Sequence, residues 1–335
     1  MFHFYFYLKR KFSLIIEYVF IIFNTYLGII SVKKILNNNK KKFYYVFDLS
    51  KSSIAYGDFF HACFFLRYVS IFKEIKFIFI TDKFREDAIE RIGRKRIISR
   101  IKEFEDIANI LCRKKCTIIK LSWKNFILDY SKNENIYLKS FILNRKPIYK
   151  INHQVINKIY PTLKNKIKKK ILIKKEDFEK NIYKKLLIKN YISVGVRVGY
   201  LNEKKRNVSI NELINYLLMI ENKNKNKKIV LVTDEKGKKI LKKALKKRKN
   251  IFYSKDYKKT FLEDAFIVLN SNRYYQFKGS GIGVIAEYSK LKFDICIDLN
   301  RGFKTKLVLR ADQMYSKKLK NSWQNKNQRF YNIEY

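Results

Sequence analysis

Four short stretches of this chain hold residue types able to grip an anion or move a proton. The first, YISVGVRVGY (residues 191–200), leads apolar side chains into a Gly-x-Arg-x-Gly turn, the pattern of a buried strand entering a loop that presents Arg197. A guanidinium is a planar fork of donors that can engage two phosphate oxygens at once and stays charged at any relevant pH. Gly195 and Gly199 permit close backbone approach or a positive φ. The second stretch, LVTDE, ends an apolar run on Thr233, Asp234 and Glu235. In the third, FKGSGIG, Gly279, Ser280, Gly281 and Gly283 open a helix whose free N–H groups suit phosphate oxygens. The fourth, SKSSIAYGD (residues 50–58), is a polar loop ending in Asp58. A carboxylate there either complements a helix dipole or accepts a proton from a bound hydroxyl. Each stretch also has a plainer reading, as a solvated arginine, a helix cap or tight helix packing.

These residues act together only if a fold brings them to one edge. Residues 43–49, 75–81 and 117–121 read as strands, separated by helical patterns at 56–72 and 85–111. From 191 the alternation resumes, with strands at 191–198, 228–233, 250–253, 273–277 and 292–298. Helices are expected between them at 209–222, 236–247, 260–269 and 281–289. Such β-α alternation predicts parallel sheets covered by helices, with ligands outside the carboxyl ends of the strands. The fold class expected is α/β, two doubly wound Rossmann-like domains facing a cleft, with an N-terminal apolar helix. The divisions are 1–42, a hydrophobic and basic helix; 43–170, an acceptor-side domain; 171–300, a donor-side domain; and 301–335, a tail packing back on the body. A further helix is expected at 176–188. Half of the ten glycines fall at 195, 199, 279, 281 and 283. In so glycine-poor a chain that concentration marks the loops.

With 335 residues and 47% hydrophobic content the chain fills two cores, which excludes a disordered basic protein. The formal net charge is +46, and the cations are 59 lysines against 16 arginines. Base and phosphate readers favour arginine, so the balance argues against specific nucleic-acid binding and for a surface attracted to anionic membranes or sugar nucleotides. Cys63, Cys112, Cys116 and Cys296 form no disulfide framework, and Cys112-x3-Cys116 has no second pair to complete a zinc site. No metal and no cofactor is expected. Residues 14–30, LIIEYVFIIFNTYLGII, are an apolar run of marginal length for a bilayer span, flanked by Lys9, Arg10, Lys11, Lys33 and Lys34. With no small-residue cleavage site following, the pattern fits a helix lying in a membrane interface or packed on the next domain.

Taken in order, VGVRVGYLN, LVTDE and FKGSGIGVIAEYSK resemble the landmarks of GT-B glycosyltransferases, and most nearly the fucosyltransferase-like group. There a strand leads into H-x-R-x-G-D, a later strand ends in Ser/Thr-Asp-Asp, and a serine-containing turn opens a helix. The resemblance spans roughly residues 190–300. It implies that Arg197 and Gly199 hold the diphosphate of a nucleotide-sugar donor, with Asp234, Glu235, Gly279, Ser280, Gly281 and Gly283 lining the donor side. Asp58 would be the catalytic carboxylate. The chain departs from the pattern at Gly195, in place of histidine, and Tyr200, in place of aspartate. No Asp-x-Asp pair occurs, unlike metal-dependent GT-A enzymes. The expected activity is metal-independent transfer of a sugar to a glycan or lipid-linked acceptor at the inner membrane face. The competing expectation is a non-enzymatic, basic anion-binding protein attached to membrane or nucleic acid.

Overall fold

The computed structural model describes residues 41–50, 54–112, 116–130, 136–138, 155–179, 189–196, 209–245, 248–257, 260–277, 281–297 and 322–332, with 23, 26–30, 32–33 and 36–37 near the N-terminus. Contacts divide the chain into two compact units, Met1–Ile171 and Leu172–Tyr335.

In the first unit the strands β1 (Lys42–Asp48), β2 (Glu74–Ile80), β3 (Cys116–Leu121) and β4 (Ile136–Leu138) form a parallel sheet in the order β3-β2-β1-β4. The last four residues of both β1 and β2 are all buried, as expected of strands covered on both faces. Helix α1 (Tyr56–Val69) follows β1. Its FFHACFFL segment is apolar nearly all round, and a helix of that kind must be buried all round. Phe59, Phe60, Cys63, Phe64 and Phe65 accordingly have no exposed surface.

The single helix expected over 85–111 is two, α2 (Glu86–Ile92) and α3 (Arg94–Leu111). Gly93 between them has φ 78°, and an added Cβ there would meet nothing within 4 Å. The backbone dihedral, not crowding, is what requires glycine. Phe104 of α3 stacks on Phe59 with centroids 3.9 Å apart, joining both helices to the aromatic layer on the sheet. Beyond β3 lies α4 (Trp123–Tyr130), and near the unit's end α5 (Asn165–Ile171).

Arg67 is fully buried on α1. Its Nε donates to the Ile171 carbonyl (2.7 Å) and its Nη1 to the Leu111 carbonyl (3.0 Å). These are the last residues of α5 and α3, so one guanidinium satisfies orphan carbonyls at two helix C-termini, where the dipoles favour a cation.

The second unit is a six-stranded parallel sheet made of β5 (Tyr191–Gly195), β6 (Lys228–Val232), β7 (Ile251–Tyr253), β8 (Tyr274–Phe277), β9 (Phe293–Ile297) and β10 (Gln328–Asn332). Their spatial order is β10-β9-β8-β5-β6-β7. Counted from β5 this is 3-2-1-4-5-6, the doubly wound Rossmann order. Helix α6 (Ile210–Lys223) starts at a Ser209/Glu212 capping box and α7 (Glu235–Ala244) at an Asp234 cap. Both cover one sheet face, where Leu213, Leu217 and Leu241 pack on Ile192, Val194 and Leu231. Helix α8 (Phe261–Leu269) starts at a Thr260/Glu263 box, and α9 (Gly283–Glu287) follows β8. Tyr191 donates from its hydroxyl to the Ile267 carbonyl of α8 (2.7 Å).

The C-terminal segment supplies a strand that the sequence pattern did not reveal. Trp323 donates from Nε1 to the Glu287 carbonyl (2.8 Å), and β10 pairs in parallel with β9. Buried Asp294 ties the amino ends of three strands together, meeting Arg273 at 3.0 Å and Arg329 at 2.7 Å. Of the expected helix at 176–188, Glu176–Glu179 is helical and residues 180–188 lie outside the described residues. Most of the apolar run 14–30 also lies outside them. No helix among the described residues is long and apolar enough to cross a membrane.

Candidate functional site

In a doubly wound sheet the crevice opens where the winding reverses, at the carboxyl ends of the two central strands. In the second unit those strands are β5 and β8, which are hydrogen-bonded neighbours. In sequence Arg197 follows β5 by two residues, and residues 278–283 follow β8 directly. The described chain therefore leaves both central strands toward glycine-containing stretches singled out above, at Val196 and at Phe277. The neighbouring strand β6 runs out into Thr233, Asp234 and Glu235.

Several proposed donor-side residues have visible local tasks. Asp234 is the N-cap of α7, its Oδ1 accepting from the Gly237 amide at 2.7 Å. Glu235 is the first helical residue, exposed, with Lys238 at 4.0 Å. Gly281 is exposed in the turn before α9. Gly283 is buried, and a Cβ on it would lie 1.8 Å from the Gln276 amide oxygen, so any larger residue there would displace the end of the Gln276 side chain. Arg197, Gly199, Gly279 and Ser280 lie outside the described residues. Asp58 stands in the first turn of α1, its side chain likewise outside them.

Beneath the switch point is a buried polar pair that sequence reasoning missed. Tyr274 and Gln276 alternate on one face of β8, and the tyrosine hydroxyl donates to the Gln276 amide oxygen at 2.8 Å. Burial holds the Tyr274 hydroxyl well above the ordinary tyrosine range. A Cβ on Gly195 would sit 2.1 Å from that hydroxyl oxygen. Gly195 and Gly283 thus press on the same pair from β5 and from α9. The departure at Gly195 acquires a physical cause, since Tyr274 fills the space a larger side chain would take. The available signal was the polar Gln276 inside an otherwise apolar YYQF strand.

The described arginines of the second unit gather at one edge of the sheet. Among its described residues the arginines are Arg248, Arg273 and Arg329, located before β7, before β8 and at the start of β10. All three are engaged, Arg248 with Glu221 and the other two with Asp294. None is at the carboxyl edge. At the carboxyl edge Lys238 pairs with Asp256 at 2.8 Å, and half-buried Lys255 pairs with buried Asp264. Burial pushes the Asp264 carboxyl up to about 6, against the opposing pull of Lys255.

In the first unit the carboxyl end of β1 is Asp48, buried, accepting from the Ser50 amide (2.9 Å) and the Ser50 hydroxyl (2.7 Å). At the far end of the same loop Arg100 donates to the Ile54 carbonyl (3.1 Å) and lies over the Tyr56 ring, 5.0 Å from its centroid. The Tyr56 hydroxyl donates to Glu103. The loop leading to Asp58 is therefore fastened at both ends. An acidic residue closing the apolar FYYVFD strand was the legible signal for Asp48. Among the described residues no cluster of three or more His, Cys, Asp or Glu could hold a metal ion.

No protein-family model matches the chain, and no curated protein does. Among solved structures it is similar to a family 9 glycosyl transferase from Veillonella parvula. The two share 10% identity and a TM-score of 0.41, over 88% of this chain and 86% of that one. A likeness that distant assigns neither fold nor activity, so both rest on the residues of this chain.

Proposed function

We propose that the protein is a glycosyltransferase of GT-B type, moving a sugar from a nucleotide-diphosphate donor to a glycan or lipid-linked acceptor. The observation that carries the reading is the winding order of the second unit. It makes β5 and β8 the central strands, and these run out into the Gly-x-Arg-x-Gly and Lys-Gly-Ser-Gly-Ile-Gly segments. Arg197 would grip the diphosphate as its bond to the sugar's anomeric carbon breaks and negative charge builds on it. The N–H groups around Gly279 and Ser280 would take further phosphate oxygens, with Gly199, Asp234, Glu235, Gly281 and Gly283 shaping the donor side. Asp58 would accept the proton of the acceptor hydroxyl as its oxygen bonds the anomeric carbon. Arg197 and nearby lysines stand in for a metal in this reading, and no cofactor beyond the co-substrate takes part. The landmarks most resemble the fucosyltransferase-like group, while sugar, base and linkage stay open. The enzyme would work in the cytoplasm, at the inner membrane face.

The test is thermal stabilisation by GDP, UDP, ADP, CMP and TDP, for wild type and Arg197→Ala. One nucleotide diphosphate should stabilise the wild type selectively, by a few kcal/mol at saturation, and Arg197→Ala should abolish the response without lowering its own melting temperature. Turnover should fall on the order of 10²- to 10³-fold in Arg197→Ala. Asp58→Asn should lose turnover at unchanged stability. No response to any nucleotide, with salt-steep binding to any polyanion instead, would replace the transferase by a non-enzymatic anion-binding protein.

A further inference from the structure

Cys112 and Cys116 take no part in the transfer chemistry, yet the fold brings their sulfurs together. Cys112 closes α3, its amide donating to the Ala108 carbonyl (2.9 Å), and is buried. Cys116 opens β3, the edge strand of the described sheet, opposite Ile75 of β2, and is only half-buried. The two thiols are in hydrogen-bonding contact. A cation is fixed beside them, because the Arg67 guanidinium donates to the carbonyl of Leu111, the residue before Cys112 (3.0 Å). Among the described residues no cluster of three or more possible ligands makes the pair a metal site. Two reduced sulfurs in contact, one partly open to solvent and one buried, are instead the arrangement of an oxidisable thiol with a resolving partner.

We propose that Cys112 and Cys116 are a reversible modification site, at which a hydroperoxide oxidises the pair to a disulfide bridging the end of α3 and the start of β3. The inference goes beyond the transferase reading and does not rest on it. The Cys116 sulfur, as thiolate, attacks the peroxide O–O bond and keeps one oxygen as sulfenic acid, while the other leaves and takes up the thiol proton as water. The Cys112 sulfur then attacks that of Cys116. The S–S bond forms, the S–O bond breaks, and the hydroxyl leaves with the Cys112 proton as a second water. Two thiols have then lost two electrons and two protons, and the peroxide has accepted both. The contact with Cys116, together with burial, holds the Cys112 thiol well above the ordinary cysteine range, so it keeps its proton while the more open sulfur reacts. Arg67 pulls the other way and favours the Cys112 thiolate when its turn comes. Only three residues separate the two cysteines. A bridge closing so short a loop restrains the unfolded chain little and is readily reduced.

The experiment treats the reduced full-length protein with hydrogen peroxide, alkylates the remaining thiols in denaturant and maps the product by mass spectrometry. Arg113, Lys114 and Lys115 lie between the two cysteines, so trypsin separates them into peptides that stay joined only through a bridge. The wild type should lose two of its four thiols, give one joined Cys112–Cys116 peptide pair lighter by two hydrogens, and recover all four thiols with dithiothreitol. Cys112→Ser should stop at a sulfenic acid on Cys116, trapped by dimedone. Cys116→Ala changes only a half-buried side chain and keeps the test decisive if Cys112→Ser does not fold. It should slow thiol loss on the order of tenfold or more. Four thiols persisting in the wild type under excess peroxide would overturn the proposal. So would a bridge from Cys112 to fully buried Cys63, or thiol loss in Cys116→Ala as fast as in the wild type.

Discussion

Gly195→Ala tests how the floor of the candidate donor site is built. The new methyl would lie 2.1 Å from the Tyr274 hydroxyl oxygen and 2.9 Å from the carbon bearing it. Tyr274 is fully buried and hydrogen-bonded to Gln276, so it has little room to withdraw. Overpacking of this kind costs about 1–3 kcal/mol, and losing the Tyr274–Gln276 bond adds about 1 kcal/mol. The sum, about 2–4 kcal/mol, should lower the melting temperature of a unit this size by roughly 5–15 °C. Tyr274→Phe removes the nearest atom of the clash. In that background Gly195→Ala should cost at least about 1 kcal/mol less, with partial rescue only because the 2.9 Å contact remains. Urea unfolding of the wild type, both single variants and the double variant measures this coupling. Strict additivity, or a Gly195→Ala protein as stable as the wild type, would refute the reasoning. Gly283→Ala, whose methyl would meet the Gln276 amide oxygen at 1.8 Å, should cost less than Gly195→Ala, because the end of a glutamine side chain can rotate away where a tyrosine ring cannot.

Two further outcomes follow from buried charge. Asp264 is raised from 3.8 to about 6 by burial, so between those pH values the folded state holds a proton that the unfolded state has lost. Its contribution is complete below about pH 4 and fades as pH rises through 6. Relative to Asp264→Asn, the wild type should lose up to about 3 kcal/mol of stability over that window in a pH series of urea unfolding; a gain instead would mean that Lys255 outweighs desolvation. Arg67→Met should cost about 2–4 kcal/mol in the first unit, because the carbonyls of Leu111 and Ile171 lose a buried charged donor. A melting temperature equal to the wild type's would remove Arg67 from its capping role.

Local chemistry made much of this protein legible. The S-x-x-E and T-x-x-E signatures start α6 and α8, because each cap needs only residues three apart. Apolar runs with polar breaks located the strands of the second unit to within a few residues, since burial on both faces leaves a continuous signal. The split at Gly93 escaped the pattern, which reads side chains and not φ. β10 escaped it too. Its residues, QRFYN, have no period of their own and become a strand only through pairing with β9 and the Arg329–Asp294 contact. The Arg197 and 278–283 stretches could be named from residue types, but that the strands leading into them are neighbours follows from an order that places β8 beside β5, some eighty residues apart. Tertiary packing likewise decided the meaning of Gly195 and Gly283. From sequence they are turn glycines; in the folded chain both make room for Tyr274 and Gln276. The amino-acid sequence determined which elements form and which residues can do chemistry, because those depend on neighbours along the chain. Which of those residues meet, and which are needed for packing, depended on contacts between distant segments that only the folded sheet supplies.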